Sequence, residues 1–164
     1  MTDLSTLLSK VEKAKGKQTL DLSSDEDLSI AIMNLISIEE HLFFTSQKTG
    51  KESYLDLLNE IRLMRTQLLK RIIKDYEGEV WCISKHLLAA SMRLVEVGTK
   101  ELKKGNKNES RELFDKAYKL YSLFWGINLK IVEIPNGKFT KPKQSSVFDK
   151  LTTIVKKTVD CCKE

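Results

Sequence analysis

Residues 79–126 read EVWCISKHLLAASMRLVEVGTKELKKGNKNESRELFDKAYKLYSLFWG. Val80, Ile83, Leu87, Ala90, Leu94 and Val97 recur every three or four positions, the spacing that lines up apolar side chains on one face of an α-helix. Gly105 is placed to end that helix, since glycine takes the left-handed conformation of a C-terminal cap without penalty. Asn106 and Glu109 offer a capping pair for the next start, and Leu113, Phe114, Ala117, Tyr118, Leu120, Tyr121, Phe124 and Trp125 resume the helical period. Two amphipathic helices joined by so short a link fold back on each other.

The same reading extends upstream. Ser23 with Glu26 forms a capping box ahead of an apolar run from Leu28 to Phe44, dense enough to predict a central helix enclosed on several sides. Thr49-Gly50 breaks it, and Tyr54, Leu55, Leu58, Ile61, Leu68, Leu69, Ile72 and Ile73 outline another helix that Gly78 should close. The expected fold is all-α: an antiparallel up-down four-helix bundle with main helices at about 24–47, 52–76, 79–104 and 109–129. A short N-terminal helix is expected at 3–15, through Leu4, Leu7, Leu8, Val11 and Ala14. After the bundle unit, 1–131, residues 132–164 form a basic tail. In it Pro135-Asn136-Gly137 predicts a small β-hairpin, and Val147, Phe148, Leu151, Ile154, Val155 and Val159 predict a C-terminal amphipathic helix.

The chain has 164 residues, 41% hydrophobic and 31% charged, with seven Gly and two Pro. That length suits one domain, and that composition suits long helices rather than a turn-rich β fold. Three cysteines, none in a Cys-x-x-Cys pair, do not make a disulfide framework and point to a reducing compartment, the cytoplasm. Charged residues interrupt the first fifteen positions, unlike a signal peptide, and no transmembrane segment is expected. From Lys130 to Glu164 there are eight Lys against Glu133, Asp149, Asp160 and Glu164, so the tail carries most of the net charge of +5.

Two sets of residues have the chemistry of metal ligands. Glu79, Cys82 and His86 stand at i, i+3 and i+7 on one helical face, and Glu40, His41, Glu60 and Glu96 fall at one level of an antiparallel bundle. A divalent transition metal is the cofactor either set would hold. One ion cannot serve both histidines, because their levels differ by about ten residues, or about 15 Å of helix. Di-iron carboxylate bundles use Glu-x-x-His, whereas Ile38 and Ile83 stand three positions before His41 and His86. No arrangement of nucleophile and base for Ser/His/Asp or Cys/His catalysis is evident, and no catalytic residue is assigned. Lys138, Lys141, Lys143, Lys150, Lys156 and Lys157 are the candidates for phosphate contacts should the tail bind nucleic acid. Trp81, Trp125, Tyr118 and Tyr121, at helical spacing, are expected in the core rather than in a stacking groove.

Leu94, Val97, Gly98, Ser110, Phe114 and Ala117 resemble one tetratricopeptide repeat over about 30 residues. The pattern departs at Glu101, where an aromatic is usual, and at Ser122, where proline is usual, and no second copy follows; repeat arrays need about three units, so a plain helical hairpin is the reading. The helical HEPN ribonucleases carry an Arg just before their catalytic His; neither His41 nor His86 has one at that spacing. The segments IEEHLFFT, DYEGEVWCISKHLLAASMRL and LYSLFWGIN resemble an uncharacterised family of small helical-bundle prokaryotic proteins, across residues 25–130. That resemblance implies a helical bundle and supplies no activity. Together these readings lead to a non-catalytic protein-interaction or self-association module, with a metal-binding bundle and a nucleic-acid-binding protein as the alternatives.

Overall fold

The computed structural model describes residues 9, 23–74, 78–132 and 151; the expected helix at 3–15, the β-hairpin and most of the C-terminal helix lie outside them. The described residues are helical with no strand, in four long helices: α1 (Ser23–Thr49), α2 (Ser53–Ile72), α3 (Glu79–Lys103) and α4 (Lys107–Asn128). The expected helices fall within a few residues of these, and the largest difference is the end of α2. There Ile73 turns extended (φ −89°, ψ 107°) and is buried almost completely, so drawing its side chain into the core ends the helix before Gly78 is reached.

The two intra-pair turns follow from their glycines. Gly50 takes φ +66° and its amide donates to Ser46 O at 2.8 Å, closing α1 with a left-handed cap. Gly105, at φ +88°, ends α3 in a Schellman arrangement, with Asn106 N–H donating to Glu101 O and Gly105 N–H to Leu102 O, both at 3.0 Å. The Asn106–Glu109 capping pair does not form: the Asn106 side chain makes no cap bond and turns back to donate to Glu101 Oε2 at 2.7 Å.

α3 and α4 pack closely because small residues recur every seventh position on their facing sides, Ser84, Ser91 and Gly98 on α3 and Ser110 and Ala117 on α4, all buried. Ser91 Oγ donates to Ala117 O at 2.8 Å, and Asn128 Nδ2 donates to Ser84 Oγ at 3.0 Å and Phe124 O at 2.8 Å. A Cβ placed on Gly98 would lie 2.6 Å from Cε1 of Phe114. At the other end of α4, Leu151 of the tail is fully buried against Gly126 and Val132.

The apolar core draws on one end of the helices. Ile32 and Met33, Leu69, Ile72 and Ile73, Leu87 and Leu88, and Phe124, Trp125 and Ile127 make up its cluster, and among the described residues the stretches 37–67 and 93–117 add only the small Ala117 to the buried apolar side chains. Trp125, Phe124 and Tyr121 stack and cross edge to face there, with Tyr118 and Trp81 packed on the margin, as expected of the aromatic residues. The enclosed stretch is the C-terminal end of α4, 120–128, where no residue is exposed. α1 is not enclosed as the density of its apolar run predicts: its buried residues are Glu26, Ser29, Ile32, Met33 and Ser46. By length and composition α1 is long and apolar enough to cross a membrane, and only 22% of its most apolar eighteen-residue window is buried.

Candidate functional site

The stretches that the core leaves out carry the exposed apolar surface. Apart from Ile30, the exposed large apolar residues among those described all come from 37–67 and 93–117: Ile38, Phe43 and Phe44 on α1, Leu55, Leu57, Leu63 and Met64 on α2, and Val95, Val97 and Leu102 on α3. Phe43 and Phe44 meet edge to face, with ring centroids 5.2 Å apart, while Phe44 keeps 51% of its surface exposed. Scattered exposed Leu or Val needs no explanation, but these residues concentrate on the halves of the helices nearest the Gly50 and Gly105 turns.

Ion pairs link these halves, which bury few apolar side chains. Arg65, with 6% of its side chain exposed, forks onto Glu39, at 11%: Nε donates to Oε1 at 2.7 Å and Nη2 to Oε2 at 3.2 Å. Arg62 adds a contact to Glu39 Oε2 at 3.3 Å from the exposed side. This two-pronged geometry is the strong form of the carboxylate–guanidinium bond. Between the helix pairs, Arg93 of α3 donates to Glu40 of α1 and to Glu96 on its own helix. Nearer the core, Tyr121 Oη and Ser29 Oγ lie 2.8 Å apart, and Ser29 Oγ donates to Glu26 O at 2.7 Å. Burial pushes the Tyr121 phenol above its ordinary pKa, and the Ser29 hydroxyl acts in the opposite sense.

The sequence-derived ligand sets are placed as follows. Glu79, Cys82 and His86 stand exposed on α3, and His41 and Glu60 are exposed on α1 and α2. Among the described residues no three His, Cys, Asp or Glu side chains converge to hold one ion. Glu40 and Glu96 do converge, on the Arg93 guanidinium. The tail lysines 138, 141, 143, 150, 156 and 157 lie outside the described residues. Sequence reasoning missed Arg65 and Arg93. The Arg93–Glu96 spacing of three positions was a visible signal for half of one network, whereas the links to Glu39 and Glu40 depend on how the helices meet.

No family model, no curated protein and no solved structure matches the chain. The resemblances to a tetratricopeptide repeat and to the small helical prokaryotic family therefore rest on the segments that carry them.

Proposed function

We propose that this chain is a cytoplasmic interaction module: an antiparallel up-down four-helix bundle with a basic tail, whose work is to bind a protein surface, its own copy or another chain, without catalysis. The short turns at Gly50 and Gly105 support the up-down course. So does the order of the contacts within the second pair, Ser84 with Asn128, Ser91 with Ala117 and Gly98 with Phe114. The observation that carries the function is the exposed apolar surface of α1 and α2, on an apolar helix that the rest of the chain leaves mostly uncovered.

Sedimentation over a concentration series, combined with cross-linking in the native host, tests this reading. The expected result is either reversible self-association or one stoichiometric complex, weakened about tenfold or more when Phe44→Ser is combined with Leu63→Ser while the helical content is kept. A strict monomer that cross-links to no protein in its host would overturn it.

A further inference from the structure

The exposed face of α2 is complementary to itself. Asp56, Asn59, Leu63, Gln67 and Lys70 are all exposed, and at about 100° per residue the other four lie within about 40° of Leu63 around the helix. Reading outward from Leu63, an uncharged amide stands four positions away on each side and a charge seven positions away on each side, acidic toward the N-terminus and basic toward the C-terminus. Glu52 extends the acidic end. Arg62 and Arg65 lie about 100° and 160° from Leu63, off this face, and are turned to Glu39 of α1.

We propose that α2 pairs antiparallel with α2 of a second copy, about a twofold axis passing beside Leu63. This rests on the interaction-module reading and names its partner. In that pairing Leu63 packs on its own counterpart, each Asn59 faces a Gln67, and each Asp56 faces a Lys70, so both copies make the same contacts. A parallel pairing in register sets Asp56 on Asp56 and Lys70 on Lys70, and like charges reject it. Exposed ion pairs add little affinity, so the charges fix direction and register while Leu63 and the surface beside it supply the attraction. The dimer is accordingly weak.

Charge exchange tests the pairing, on the full chain with its melting temperature checked for each variant. Asp56→Lys and Lys70→Asp, made singly, are each expected to weaken self-association about fivefold or more in sedimentation equilibrium. The double variant should regain it. An equimolar mixture of the two single variants should form a heterodimer, because every reversed charge then meets its opposite, and any loss of helix stability in the single variants is still present in the mixture. A wild-type chain that stays monomeric at millimolar concentration overturns this inference and leaves a different protein as the partner of the module. Association untouched by the single changes overturns it too, and moves the contact to another face, such as Phe43 and Phe44. Association lost in the single variants and not restored in the mixture also overturns it.

Discussion

Arg65 shows what one side chain can require of its surroundings. Its guanidinium is nearly buried in a half of the molecule that contributes little to the apolar core, and the Glu39 carboxylate answers it with two bonds. Removing only the carboxylate leaves a buried charge without its partner. Glu39→Ala is therefore expected to cost about 3 kcal/mol, or roughly 10 °C in Tm, measured by thermal and urea unfolding. Replacing both, as Glu39→Leu with Arg65→Met, should recover most of that loss, since an apolar pair of similar volume carries no desolvation cost. The pair was not legible in the sequence, where Glu39 read as one of three neighbouring polar residues, Glu39, Glu40 and His41. Charge says which residues can pair and helical period says which share a face; neither says that position 39 of one helix stands beside position 65 of the next.

At the scale of the element, the heptad of small residues on α3 sets how near α4 approaches, and Gly98 is its tightest point. Gly98→Ala brings two opposed effects: alanine favours the helix by about 1 kcal/mol, while its methyl collides with the Phe114 ring and overpacks the seam. The collision should prevail, with a net loss of about 1 kcal/mol. In a Phe114→Ala background the sign should reverse and the same change should stabilise; a double-mutant cycle by urea unfolding measures the coupling. The helices themselves were legible because a period of 3.6 with glycine at the ends is a local signal, and Gly50 and Gly105 end their helices as expected. The end of α2 was not legible, since Ile73 leaves the helix for the sake of its place in the core. The covering of α1 was not legible either: an apolar run states that burial is favourable, not that the chain has anything to cover it with.

For the whole molecule, the division between a packed end and an ion-paired end has a dynamic outcome. Backbone amides of residues 83–92 and 118–127, whose side chains supply the core, should exchange with solvent by near-global unfolding. Amides of residues 40–48 and 55–62 should exchange faster, by local opening, by at least tenfold in native-state hydrogen exchange followed by mass spectrometry. Uniform protection along all four helices would contradict that division. The candidate site followed the same line: the titratable residues that drew attention in the sequence are exposed or paired to arginine, and the apolar surface near the turns, which no motif announces, became visible only once the core had been located.

The indole of Trp125 has a practical consequence. It is buried among Phe124, Tyr121 and the aliphatic core, with 2% of its surface exposed. An indole so isolated from water emits toward the blue, and exposure on unfolding shifts it to the red. With the half-buried Trp81 replaced by Phe, the chain carries its own label-free fluorimeter, sited in the part of the molecule that should be last to come apart.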